Sequence, residues 1–380
     1  MTNAVQTSSD STKTTQADKP VLVIAAAGTG GHVMPGLAVA AEMQKRGWAI
    51  QWIGTTTGME SELVGKRAIP FFGIDFQGMR GRGIGKMLTG GIKLMGAIWK
   101  ARAQMKQLRP TAVFSTGGYI AVPVGMATQS LKRPIVLMNC DADLLMSTNT
   151  LLPFCDALAC GFAGGARTFA GPKGATTGNP VRADIAALPE PQARFAGRTG
   201  PLKLFVFGGS LGAQILNDVI PEAIAKLPPE KRPIVLHQTG RGRDEAVREK
   251  YKALGVQAEV VPFIDDMAKR YAECDLVICR AGATSASEIC AAGVASVLVP
   301  FVAKTTKHQV GNARHLAERG AALMVEQPDF TAERAAQILA DATRENLLKT
   351  AEAARALAVP DAAAKVADLI EGVVAARAKK

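Results

Sequence analysis

A strand, a glycine-rich turn and a helix opening occur twice in this chain, about 180 residues apart. The first copy is VLVIAAA (Val21 to Ala27), then GTGGH (Gly28 to His32), then a helical run from Pro35. The second is LKLFVF (Leu202 to Phe207), then GGSLGA (Gly208 to Ala213), then a helical run from Gln214. In each, an apolar run of strand length meets glycines that let the backbone turn sharply. The helix that follows opens with free N–H groups and the positive end of its dipole, where a phosphate would sit. Two such units in one chain imply two nucleotide-type folds with a cleft between them.

The rest of the chain alternates in the same way. AIQWIG near 50, TAVFST near 113, RPIVLMN near 136, DLVICR near 278 and ASVLVPF near 298 have strand length and lie between helical stretches. That alternation means βαβ units and parallel sheets, an α/β fold class. At 380 residues, 48% hydrophobic and 21% charged, the chain has the size and balance of two soluble globular domains. Residues 1–20 are rich in Ser and Thr and lack an apolar segment, so they read as a disordered tail and not as a signal peptide. The stretch Gly178 to Pro201, rich in Pro, Gly and Arg, is the natural linker. It divides the chain into a first domain over 21–182 and a second over 183–360. Pro360 breaks the Ala-rich helices that begin near Thr331, and a last helix over 361–380, with no strand after it, is expected to pack back on the first domain.

Composition narrows the function. No run approaches the roughly 18 uncharged apolar residues of a membrane span, which points to the cytoplasm. The six cysteines form no CxxC pair and suit reduced, buried thiols. A net charge of +12 calls for an anionic partner: nucleic acid, an acidic membrane surface or a phosphorylated substrate. Few aromatics interleave with the basic residues, which argues against nucleic acid.

Neither glycine loop is followed by Lys-Ser/Thr, so neither is a P-loop. The first lacks the full GxGxxG spacing, and no acidic residue closes the second strand near position 53, so a dinucleotide site is not expected. His32 places a titratable group at the first helix mouth, either as a histidine bonded to backbone or as a general base. In CRAGATSASEICAAG (Cys279 to Gly293), Ser285 and Glu288 match a capping box. The alternative is that Glu288 grips the two hydroxyls of a ribose while the helix start faces a diphosphate. VPFVAKTTKHQVGNA (Val299 to Ala313) carries His308, Gln309 and Asn312 beyond a strand end, where amide side chains suit a sugar. Asp141 and Asp143 spell a D-x-D, yet no metal is expected, because helix N-termini and Arg182 already offer positive charge to a diphosphate.

Residues 84–108 carry two apolar stripes at helical spacing. Leu94, Ile98, Ala101, Met105 and Leu108 form a stripe that a core would bury. Leu88, Ile92, Met95 and Trp99 form a second, with Lys86, Lys93 and Lys100 on another row. A helix needs only one apolar face for its own domain. The second face, with its lysines, reads as an interfacial contact with an anionic membrane or, failing that, as a helix buried on two sides.

Several of these motifs recur in one order: GTGGHVMPGLAVA, the GMRGRG turn (Gly78 to Gly83), TGGY (Thr116 to Tyr119), GNPVR (Gly178 to Arg182), GGSLGA, FIDDM (Phe263 to Met267), RAGATSASE (Arg280 to Glu288) and HQVGNA (His308 to Ala313). In this the chain resembles the MurG family of hexosyltransferases, from about Val21 to its end. The resemblance implies a GT-B fold, two facing Rossmann-like domains with parallel sheets and a cleft between them. It implies an inverting transfer of GlcNAc from UDP-GlcNAc to the undecaprenyl-pyrophosphoryl-MurNAc-pentapeptide lipid I, making lipid II for peptidoglycan, with no cofactor. It implies a peripheral place on the cytoplasmic face of the inner membrane and other cell-wall and division proteins as partners. Carried onto matching positions, the diphosphate falls at Ser210 with Arg182 nearby, the ribose on Glu288 and the uracil on backbone near Ile264. The sugar hydroxyls fall on Gln309 and Asn312, with Ala283 and Asp141 also on the donor side. Thr29, Gly30, Gly31 and His32 face the reaction centre.

One stretch departs from the pattern. Where the family usually carries His-Glu-Gln-Asn, this chain has Met138, Asn139, Cys140 and Asp141. An ionised Asp141 beside a diphosphate would repel it and weaken donor use. Two rivals stay open at this point: another UDP-sugar enzyme of the same fold, such as a UDP-GlcNAc epimerase, and a non-catalytic cell-wall scaffold.

Overall fold

The computed structural model describes residues 19–28, 30–58, 60–77, 84–302 and 308–379, and for residues 84–88 only the backbone. Thr29, the GMRGRG turn, most of the N-terminal tail and the Leu88 side chain lie outside this description.

The apolar runs become strands because helices cover both faces of each sheet, so the inner strands are almost wholly buried. The first sheet holds β1 (Val21–Ala26), β2 (Ala49–Thr55), β3 (Phe71–Ile74), β4 (Ala112–Gly117), β5 (Ile135–Asn139), β6 (Ala157–Cys160) and β7 (Gly174–Thr176). Its order is β3-β2-β1-β4-β5-β6-β7, with parallel pairing such as Ile24 beside Trp52 and Phe114. The second holds β8 (Lys203–Phe207), β9 (Ile234–Gln238), β10 (Glu259–Val261), β11 (Leu276–Cys279), β12 (Ala295–Leu298) and β13 (Leu323–Met324), in the order β10-β9-β8-β11-β12-β13. In both sheets the chain winds outward from the first strand and then returns to its other side. The reversal points lie between β1 and β4 and between β8 and β11, where a doubly wound sheet opens a crevice.

The stretch Gly178 to Pro201 is more ordered than its composition suggests. It holds two short helices, Ala183–Ala186 and Pro191–Phe195, and Phe195 joins the second core. The last helix, Ala362–Ala378, crosses back to the first sheet. Val366, Ala367 and Ile370 are buried in that core, Arg46 pairs with Asp368 and Glu371, and Arg377 pairs with Asp156. All six cysteines are free and buried. Leu94, Ile98, Ala101, Met105 and Leu108 pack inward, as their spacing requires, whereas Ile92, Met95 and Trp99 stand 65–73% exposed. The second stripe is therefore a surface, and the helix is not buried on two sides. No helix among the described residues is long and apolar enough to cross a membrane.

Candidate active site

The first glycine loop leads straight into a helix that begins at Gly30, five residues before the run expected from Pro35. Gly30, Gly31 and His32 therefore form its first turn. Pro35 has no N–H to give to the carbonyl four residues back, which leaves Gly31 O without its helical partner. Thr284 of the second domain donates to that oxygen, Oγ1 to O 3.3 Å, so the two helix mouths meet across the cleft. Glu60, fully buried, accepts from Thr55 N, Thr55 Oγ1 and Gly28 N and holds the entrance of the loop.

His32 is held by the end of β4. Its Nδ1 lies 2.9 Å from Thr116 O, and Thr116 Oγ1 donates to His32 O at 2.7 Å. A carbonyl only accepts, so Nδ1 carries the proton and Nε2 keeps its lone pair. Burial lowers the His32 pKa below 6.5, opposed by the negative charge of Asp141 and the Thr116 carbonyl and assisted by His308. The imidazole is neutral near pH 7, with the tautomer a general base needs. The room for it comes from Gly117, at φ +106, whereas Gly118, at φ +81, lets the turn pass close to Ala27. A Cβ on Gly117 would stand 3.2 Å from the His32 ring, and one on Gly118 would collide with Ala27 O.

Across the cleft, β11 runs into the helix Ala283–Ala292, with Gly282 in extended backbone as its N-cap. Here the capping box fails. The N-cap is Gly282, which has no side chain to accept from the first turn, and Ser285 lies in the first turn and Glu288 in the second, with no side-chain cap bond. Gly282 starts the helix three residues earlier than the spacing of Ser285 and Glu288 suggests. Glu288 is instead buried, with Tyr271 Oη donating to its Oε2 at 3.3 Å and Arg182 Nε 4.0 Å from its Oε1. Burial pushes its pKa up to about 7, against the pull of Arg182 and Tyr271. The Arg182 Nε and Nη2 are buried and make no hydrogen bond among the described residues. The Nε is ion-paired with Asp184 Oδ1 at 3.5 Å as well as with Glu288, and the guanidinium's unbonded donors are ones a diphosphate would satisfy. Ala283 is the first residue of that helix, Ser210 lies in the turn after β8, and Ile264 is buried beyond β10.

The amides behave differently from expectation. Gln309 Oε1 accepts from Phe301 N at 2.8 Å, bracing the strand end. Asn312 is fully buried, with its amide bonded inside the protein. Its Nδ2 donates to Asp141 Oδ1 at 2.7 Å and to Ala281 O at 3.0 Å, and its Oδ1 accepts from Ala142 N at 2.8 Å. Asp141 is correspondingly buried against Asn312, with its Oδ1 engaged by the amide. The links from Asn312 to Asp141 and Ala142 join residues about 170 apart, so local spacing carried no sign of them.

Residues 22–160 match the model of the Glycosyltransferase family 28 N-terminal domain, and residues 203–371 that of the C-terminal domain. The chain is 51% identical over 357 residues to the UDP-N-acetylglucosamine--N-acetylmuramyl-(pentapeptide) pyrophosphoryl-undecaprenol N-acetylglucosamine transferase of Chromobacterium violaceum, covering 93% of this chain and 98% of that one. The protein of the same description from Methylibium petroleiphilum is also 51% identical, with 93% and 97% covered. The crystal structure of Acinetobacter baumannii MurG matches with a TM-score of 0.78 at 35% identity, over 93% of this chain and 99% of that one. The chain belongs to the MurG family. A Listeria monocytogenes UDP-N-acetylglucosamine 2-epimerase structure shares only the fold with this MurG-family chain, at 15% identity and a TM-score of 0.66.

TGGY is legible as a motif in this MurG-family chain, whereas the bond from its Thr116 to His32 is not. Tyr271 and Glu60 carry no local signal, because their roles depend on partners that only the fold supplies.

Proposed function

We propose that this chain moves N-acetylglucosamine from UDP-N-acetylglucosamine to undecaprenyl-pyrophosphoryl-MurNAc-pentapeptide, lipid I to lipid II, in peptidoglycan synthesis. The observation that carries the mechanism is a neutral, tautomer-locked His32 at one helix mouth, facing a second helix mouth backed by Arg182 and Glu288. An acceptor hydroxyl attacks the anomeric carbon of the donor sugar from the His32 side, and Nε2 takes its proton. The bond from that carbon to the UDP oxygen breaks with inversion. Negative charge develops on the departing diphosphate, where the Ala283–Ala292 helix N-terminus and Arg182 stabilise it. Glu288 accepts from the ribose hydroxyls, and backbone near Ile264 receives the uracil.

The Ile84–Leu108 helix supplies the membrane contact in this reading. Ile92, Met95 and Trp99 enter the interface of the inner membrane's cytoplasmic leaflet, while the exposed Lys93 and Lys100 meet anionic headgroups. Cell-wall and division proteins gather at the same surface. Transfer of radiolabelled sugar from UDP-N-acetylglucosamine to a lipid I analogue tests the activity. Release of free sugar or its epimer without a disaccharide product would instead support a different UDP-sugar enzyme.

A further inference from the structure

The end of β9 carries three polar side chains in a row, His237, Gln238 and Thr239, and all three are buried. Neighbours along a strand point to opposite faces, so such a run puts polar groups on both sides of the sheet, and each needs a partner.

Gln238 finds its partners in two different loops. Its Oε1 accepts from Gly208 N at 3.2 Å, where the second glycine turn begins, and its Nε2 donates to Pro262 O at 3.1 Å, just before Phe263 and Ile264. The amide can take only this orientation, because an N–H donates and a carbonyl accepts. The strand end that carries it is fixed from the other side. Asn217, in the first turn of the helix Gln214–Ala225, donates from Nδ2 to Thr239 O at 3.1 Å. Its Oδ1 therefore accepts from His237 Nε2, 3.2 Å away, and Tyr251 Oη donates to His237 Nδ1 at 2.9 Å. The glycine turn lies directly on this platform: a Cβ on Gly212 would stand 2.0 Å from Thr239 O.

We propose that Gln238 is a positioning residue for the donor nucleotide, a tie that sets the diphosphate turn at Gly208 against the base turn at Pro262. The proposal rests on the transfer reading above, in which the diphosphate falls at Ser210 and the uracil on backbone near Ile264, and it adds selectivity for the base. Uracil offers an N3–H donor and an O4 acceptor where cytosine offers a bare N3 and an amino group. A backbone N–H and C=O held in one place tell the two apart, and a turn free to shift tells them apart less well.

The test separates the two bonds. Gln238→Met keeps the length of the side chain and loses both, whereas Gln238→Glu keeps an acceptor for Gly208 N but sets a carboxylate against Pro262 O. In transfer of radiolabelled sugar, Gln238→Met is expected to raise the KM for UDP-N-acetylglucosamine about tenfold, with kcat within about twofold of the parent. By calorimetry, the preference for UDP over CDP should shrink about fivefold in both variants. The charge added in Gln238→Glu weakens both nucleotides alike, so the ratio still reports on the base turn. A fall in kcat at unchanged KM, or a UDP-to-CDP ratio equal to the parent's, would overturn the proposal. So would an effect confined to the melting temperature, or a parent with no preference for UDP over CDP. If the parent binds UDP but transfers no sugar, the functional reading falls, and the ratio decides the role of Gln238 by itself. Should Gln238→Met fail to fold, Gln238→Glu carries both the ratio and the KM.

Discussion

His32 shows how a side chain is prepared for chemistry by what it cannot do. With Nδ1 spent on Thr116 O, only Nε2 can take a proton, and burial keeps the ring neutral at physiological pH. Replacing it with Ala should lower kcat by about 100- to 10,000-fold, the range of a positioned general base, while UDP affinity holds. A base must be unprotonated, so kcat of the parent should fall as pH drops through a value below 6.5. A pH profile whose acid limb persists in His32→Ala would assign that limb elsewhere. Glu288 is the opposite case, an acid whose charged form the empty site disfavours. Its folded pKa, about 7, exceeds the ordinary 4.5, so its contribution to stability is present below 4.5 and lost as pH rises through 7. Glu288→Gln should therefore raise the melting temperature of the empty protein at pH 8. It should also raise the KM for UDP-N-acetylglucosamine about tenfold, since charge-assisted bonds to two ribose hydroxyls are lost. A melting temperature unchanged at pH 8 would show that Arg182 already compensates the charge.

At the scale of elements, the turn after β4 and the Ile84–Leu108 helix present opposite demands. The turn must leave the left-handed region open at Gly117 and Gly118, and it has no space for a side chain against Ala27 O. Gly118→Ala should destabilise the first domain by about 2 kcal/mol or more, through strain at positive φ and the collision together. Denaturant unfolding would measure it, and a loss under half of that would mean the turn relaxes. The helix has space to spare on its outer face. Ile92→Ser with Trp99→Ser removes apolar surface that no other part of the described chain covers, so it should weaken binding to anionic vesicles and leave the fold and UDP affinity in place. Loss of folding would place that stripe in a core.

The whole molecule is closed by its last helix, which returns from the second half of the chain to the first sheet. Val366 and Ile370 are fully buried there, and burial of two such side chains is worth about 4 kcal/mol. Trp48 Nε1 donates to Glu371 Oε1 at 3.1 Å, so the indole itself reports on the docking. All three tryptophans, Trp48, Trp52 and Trp99, belong to the first half of the chain. Deleting residues 361–380 should therefore lower the unfolding midpoint seen by tryptophan fluorescence and change UDP binding less. A midpoint within error of the parent would show that the helix only decorates the first sheet.

The sequence by itself determined the parallel α/β architecture, the two glycine turns, the inward stripe of the Ile84–Leu108 helix and the family. All of these are written in local spacing: period two or continuous runs for strands, three to four for helices, glycine where the chain must reverse. Tertiary structure decided what each polar group faces. Ser285 and Glu288 carry the spacing of a capping box, yet the helix already starts at Gly282, and Glu288 is turned toward Tyr271 and Arg182 instead. Asn312 has the chemistry of a sugar ligand, but folding brings Asp141, Ala142 and Ala281 to it, and three hydrogen bonds leave it buried between the domains. His32 becomes a base of fixed tautomer only when Thr116, 84 residues away, supplies a carbonyl. A side chain's donors and acceptors are set by its type. Whether they meet a partner or a substrate depends on contacts across the fold, which no short window of sequence contains.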